Sequence, residues 1–84
     1  MFYVYILKCG DGSFYCGYTN DVEKRFEKHK SGKGAKYTRS RLPLEIVYVE
    51  ELETKSDALK REYAIKNMTR SQKEKLVAGY CCNV

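Results

Sequence analysis

Five residues of this 84-residue chain have types and spacing that could act on a phosphodiester: Tyr5 within Tyr3-Val4-Tyr5, Tyr15 within Tyr15-Cys16-Gly17, Arg25, His29 and Glu62. A phenol can handle a proton, two cations can neutralise a phosphate, and a carboxylate can hold a divalent metal. Each also has a plain structural alternative. Tyr5 and Tyr15 could be a cross-strand core pair. Arg25 could snorkel to water with His29 at a rim. Glu62 could be a structural ion-pair partner of Arg25 or Arg61.

The elements that must position these residues are legible from pattern. Phe2–Lys8 alternates aromatic and aliphatic residues and reads as a strand. Gly10-Asp11-Gly12 reads as a hairpin turn, and Ser13–Tyr18 as the returning strand. If those three residues form the loop, Leu7 faces Tyr15 and Tyr5 faces Gly17. Tyr5 and Tyr15 then become diagonal neighbours on one face; a two-residue loop would put them on opposite faces. Gly17 leaves room there for another backbone or a phosphate. A helix starting at Asn20 or Asp21 and running to about Lys30 carries Val22, Arg25, Phe26 and His29 at core-facing spacing. Polar groups thus interrupt an apolar stripe, and a guanidinium placed there is costly unless it meets an anion.

Leu44–Leu52 predicts a third strand, rich in Ile, Val and Tyr. A second helix spans about Ser56 to Asn67. Glu62 lies in its stripe between Ala58 and Ile65, with Leu59 and Tyr63 alongside. Thr69-Arg70-Ser71-Gln72 has the form of a capping box opening a short third helix that Gly79 can end. The order is β-β-α-β-α-α: an α+β fold with a small three-stranded, mostly antiparallel sheet packed by helices. One domain over 1–80 and a tail over 81–84 account for the length.

Charge is concentrated. The chain is +5 overall, yet Lys24, Arg25, Lys28, Lys30, Lys33, Lys36, Arg39 and Arg41 stand against Glu27 alone, so 24–41 carries +7 and the remainder −2. Such a segment suits a polyanionic partner. Gly32-Lys33-Gly34 lacks the pattern of a nucleotide-binding loop. Phe2–Leu7 is too short to span a membrane and no basic flank precedes it, so a cytoplasmic protein is expected. Cys9, Cys16, Cys81 and Cys82 form no C-x-x-C pair and are expected as free thiols.

Taken together, Val4-Tyr5, Tyr15-Cys16-Gly17, the helix with Arg25 and His29, and Glu62 within Arg61-Glu62-Tyr63 resemble the GIY-YIG nuclease superfamily over essentially the whole chain. The segment from Gly32 to Arg39 and Lys73-Glu74-Lys75-Leu76 are similar to its small stand-alone bacterial members. Tyr3 replaces the glycine of the first motif, and Cys16 replaces the usual Ile or Val of the second. The separate DNA-binding domain that well-understood members carry is not expected within these 84 residues.

The resemblance implies an endonuclease that hydrolyses nucleic acid, DNA before RNA, with weak sequence specificity. It implies one divalent metal, Mg²⁺ or Mn²⁺, on Glu62; charge neutralisation by Arg25; Tyr5 as general base, with its pKa lowered by the metal and Arg25 or the task shared by a water; Tyr15 orienting water or phosphate; and His29 hydrogen-bonding Tyr5 or assisting the proton transfer. Gly17, Lys33, Lys36, Arg39 and Arg41 would meet nucleic-acid backbone, and Tyr37 would stack on a base. Two other readings remain: a nucleic-acid-binding module that does not cut, or cuts only with a protein partner supplying specificity, and a scaffold whose basic face docks an acidic protein.

Overall fold

The computed structural model describes residues 1–31 and 41–81. Its elements are β1 (Phe2–Lys8), β2 (Phe14–Thr19), α1 (Val22–Lys30), β3 (Glu45–Leu52), α2 (Lys55–Lys66) and α3 (Arg70–Cys81). The sheet order is β2-β1-β3, with both pairings antiparallel. This is the expected α+β order.

The hairpin turn sets the register. Gly12 N–H donates to the Cys9 carbonyl at 2.9 Å, and Cys9 N–H donates to the Ser13 carbonyl at 2.8 Å. Gly12 has φ +85, so a type I turn is followed by a left-handed residue, the usual three-residue hairpin loop. The Asp11 carboxylate locks the loop by accepting from Ser13 N at 3.0 Å and Ser13 Oγ at 2.6 Å. Leu7 therefore pairs with Tyr15 and Tyr5 with Gly17, as the three-residue loop requires. Ser13 serves the turn, which is why β2 begins at Phe14.

β1 is central and buried on both faces: Val4, Tyr5, Ile6 and Leu7 are all at most 2 % exposed. Because side chains alternate, Val4 and Ile6 join Cys16, Tyr48, Ala58 and Ile65 in the core beneath α2 and α3. Tyr5 and Leu7 point to the opposite face, where α1 lies.

α2 is capped by Thr54, whose Oγ accepts from Asp57 N at 3.1 Å. The α3 capping box is reciprocal: Thr69 N donates to Gln72 Oε1 at 2.9 Å and Gln72 N donates to Thr69 Oγ at 3.2 Å. Gly79 does not end α3, which continues to Cys81. A terminating glycine adopts positive φ, and among the described residues only Gly12 does so. On α2, Ala58 and Ile65 are fully buried, whereas Leu59 and Tyr63 are 42 % and 72 % exposed. At about 100° per residue, positions 61 and 62 flank the inward direction and 59 and 63 turn away from it. Cys9 and Cys16 are free and buried.

Candidate active site

Four of the five chemical residues converge on the α1 face of the sheet. Asp21 caps α1 by accepting from Lys24 N at 3.1 Å. Asp21 is itself held by Thr19, whose Oγ donates to the Asp21 carbonyl at 3.2 Å and accepts from Asp21 N at 3.1 Å. This fixes the helix against the end of β2 and brings Arg25 and His29, one turn apart, over the hairpin. His29 is fully buried. Its Nε2 lies 3.1 Å from the Tyr5 hydroxyl. Tyr15 packs edge-on against the same imidazole, with ring centroids 5.3 Å apart.

Gly17 makes this possible. A Cβ built there would stand 2.6 Å from the Tyr5 hydroxyl oxygen and 2.8 Å from its Cζ. The room expected for a phosphate or backbone is thus taken by the Tyr5 phenol. Gly17→Ala should cost about 1–3 kcal/mol from overpacking and push the phenol off His29. The melting temperature should fall in thermal denaturation. Gly79→Ala is the matched control: nothing lies near that Cβ, and it should stabilise α3 by about 0.5–1 kcal/mol.

Burial governs the protonation states. It pushes the Tyr5 phenol up to about 12, against the opposing hydrogen bond from Arg25. The sequence expectation was a phenol lowered by Arg25; desolvation outweighs that guanidinium. Burial, and then the charge of Arg25, hold His29 below its ordinary value. At neutral pH the pair is therefore a protonated phenol beside a neutral imidazole. With the imidazole proton on Nδ1 the phenol donates to Nε2, and with it on Nε2 the phenol accepts.

This predicts a pH dependence of stability. The unfolded chain, with His29 near 6.5, binds a proton more readily than the folded chain. Stability is full above that value, declines as pH falls through it, and stops declining below the depressed folded pKa. Asp11, held low by its hydrogen bonds from Ser13, gives stability that is fully present at neutral pH and is lost only as pH falls through the carboxylate range, outside this window. Thermal melts between pH 5 and 7.5 should show the decline in wild type and a flatter profile in His29→Gln.

Arg25 carries the informative defect: its Nε–H is buried and meets no hydrogen-bond acceptor among the described residues. A buried donor left unmet is costly, and an anion arriving at the site would satisfy it. Two concavities adjoin this guanidinium. One is lined by Thr19, Asn20, Asp21, Lys24 and Lys28 with Arg25; the other is a cleft that also takes in Phe2, Tyr18 and Lys55. The pattern in the sequence pointed to none of Phe2, Tyr18, Asn20 or Lys55. Lys24 and Lys28 were visible only as part of the basic segment.

Glu62 comes from the other layer. Its side chain is 16 % exposed and its ion-pair partner is Lys66 at 3.3 Å, in place of the Arg25 or Arg61 anticipated. Its charge helps to raise the Cys16 thiol, which burial chiefly pushes up to about 12, so the carboxylate lies beside β2. Arg61 instead pairs with Glu50 at 2.9 Å, where Tyr48 also donates to Glu50 at 2.5 Å. Arg41, expected on nucleic acid, pairs with Asp11 at 3.0 Å, since the chain there closes onto the hairpin turn through Gly10 N–H and the Arg41 carbonyl at 2.7 Å. Lys33, Lys36, Tyr37 and Arg39 lie outside the described residues. Among the described residues no group of three His, Cys, Asp or Glu side chains gathers as a metal cage, and no helix is long and apolar enough to cross a membrane.

Comparison with known proteins gives one consistent result. The profile of the GIY-YIG catalytic domain matches residues 1–75. A UPF0213 protein of Staphylococcus saprophyticus is 57 % identical over 76 residues, 90 % of this chain and 93 % of that protein. One from Staphylococcus epidermidis is 60 % identical over 75 residues, covering 89 % and 92 %. The solution NMR structure of a UPF0213 protein from Bacillus halodurans superposes with a TM-score of 0.61 at 52 % identity, covering 93 % of this chain and 84 % of that one. A protein from E. faecalis does so with a TM-score of 0.64 at 46 % identity, covering 95 % and 85 %.

Proposed function

The chain belongs to the GIY-YIG catalytic-domain family, a nuclease family, and from that premise we propose that it is a metal-dependent endonuclease. Its substrate is nucleic acid, DNA before RNA, cut with weak sequence preference. The observation that carries this reading is the buried Arg25 Nε–H, which meets no acceptor among the described residues, set beside a phenol–imidazole pair 3.1 Å apart. A phosphate oxygen supplies the missing acceptor, and a planar guanidinium suits it.

The residues then divide the work. Arg25 binds the non-bridging oxygens. Tyr5 takes a proton from the attacking water as its own proton passes to His29 Nε2, so the phenol need not ionise beforehand. The bound phosphate also offsets the Arg25 charge that helps to depress His29, which makes the imidazole a better base when substrate is present. Tyr15 holds the imidazole edge-on and faces the same site.

Glu62 fits as the protein ligand of one Mg²⁺ or Mn²⁺. It is a hard oxygen donor, partly exposed, and its Lys66 partner is half exposed and able to swing away. A single carboxylate suits an ion that keeps most of its waters. When bound, such an ion supplies Lewis-acid stabilisation of charge on the phosphate and leaving oxygen. Lys24 and Lys28, with Lys33, Lys36, Tyr37 and Arg39, are proposed to hold nucleic acid through salt-sensitive contacts.

Purified protein incubated with single-stranded, duplex and branched DNA, and with RNA, tests this directly. Cutting in Mg²⁺ or Mn²⁺ and none in EDTA is expected on at least one DNA. Salt-sensitive binding to every substrate without cutting of any would retract the endonuclease in favour of a non-cleaving binding module.

A further inference from the structure

The cleft beside Arg25 has a composition that the phosphodiester chemistry does not use. It encloses about 440 Å³, within the range of roughly 300–1,000 Å³ typical of small-ligand sites. Its walls are Phe2, Tyr18, Thr19, Asn20, Arg25 and Lys55. Tyr18 pairs with Val4 across the hairpin, which places Phe2 and Tyr18 as diagonal neighbours on one sheet face. Both rings rest against the buried core cluster on one side and line the cleft as well. They are therefore braced before any ligand arrives.

The rest of the lining is two cations and two neutral hydrogen-bonding side chains, with no carboxylate. A cationic ligand is disfavoured by that set. A planar, π-faced ligand carrying negative charge is favoured, because rings stack on a base and cations meet phosphate.

We propose that this cleft is a nucleobase subsite of the substrate strand: a base next to the phosphate held by Arg25 leaves its stack and packs on Phe2 or Tyr18, with Lys55 on the adjoining phosphate. The inference rests on the endonuclease reading for what Arg25 holds, and it adds the nucleotide that lies beside the cut. Arg25 joins the two sites, since it lines the cleft and its guanidinium also acts on the Tyr5 phenol, opposing the upward push of burial. Stacking tolerates any base, so the subsite orders an unstacked nucleotide without imposing a sequence. Asn20 and Thr19 stand at its polar edge.

Equilibrium binding in EDTA tests the subsite without requiring cleavage. The probes are a fluorescent DNA strand and a strand of equal length whose bases are replaced by abasic residues, so the phosphates match. Wild type should bind the intact strand at least about fivefold tighter. The Phe2→Leu/Tyr18→Leu variant, which keeps apolar volume in the core, should bind both strands with the affinity wild type shows for the abasic one. Lys55→Gln, at an exposed position, should weaken both strands equally. Equal affinity of wild type for both strands overturns the subsite, and so does a double variant that keeps the preference. Cleavage is scored separately in Mg²⁺ on the same intact strand. Discrimination with no cutting of this strand or of any substrate in the panel above removes the endonuclease and leaves the subsite, and cutting without discrimination does the reverse.

Discussion

Tyr5→Phe lowers the rate of strand cleavage by about 10²- to 10⁴-fold, the span over which positioned proton transfer contributes, and leaves nucleic-acid affinity unchanged. The ring still fills the space over Gly17, so the hairpin keeps its packing; only the hydroxyl 3.1 Å from His29 Nε2 is lost. Tyr5 is 2 % exposed, and its hydroxyl connects Arg25 to His29. Removing it leaves the imidazole without its proton donor and water without its first acceptor. Single-turnover rates at saturating substrate, together with binding in EDTA, check the result. An unchanged rate would mean that the phenol is packing alone, and His29 would then have to act on water unaided.

Glu62→Gln is expected to reduce cleavage in Mg²⁺ by roughly 10²- to 10³-fold, the scale of losing one electrostatic stabiliser of the transition state, and to raise the metal concentration at half-maximal rate. Stability should barely move, because the Glu62–Lys66 pair is a helical i,i+4 contact with Lys66 half exposed, and such pairs contribute little. The metal titration separates a ligand from a merely structural carboxylate: loss of the ion pair alone would shift the melting temperature slightly and leave the metal dependence in place. An EDTA-resistant activity equal in wild type and variant would remove Glu62 from the mechanism.

The legible parts of this molecule were those set by local chemistry. Gly10-Asp11-Gly12 fixes a three-residue turn, the turn fixes register, and register alone puts Tyr5 against Gly17. Thr69 and Gln72 specify their own helix start. The i, i+4 spacing of Arg25 and His29 is enough to stack them on one face of α1. What escaped depends on comparing competing energies or on distant segments meeting. Gly79 permits a helix end but does not impose one. The phenol of Tyr5 sits where an approaching guanidinium lowers its pKa and burial raises it, and only the packed structure decides between them. Arg61 on α2 finds Glu50 on β3, and Lys66 is left for Glu62; neighbours in sequence gave no means of choosing. The cleft of Phe2, Tyr18 and Lys55 gathers the start of β1, the end of β2 and the start of α2, which no spacing rule brings together.

β1 has a further consequence, for how freely this sequence can drift. From Val4 to Leu7 every side chain is enclosed, with even positions binding the helical layer and Tyr5 reaching His29 on the other face. The run therefore has no silent site, and a slip of one residue would exchange the phenol beside His29 for an aliphatic side chain. Cohesion and activity are written in alternate letters of one word. Neutral change is left to the margins, such as the outer face of α2, where Leu59 and Tyr63 already stand in water.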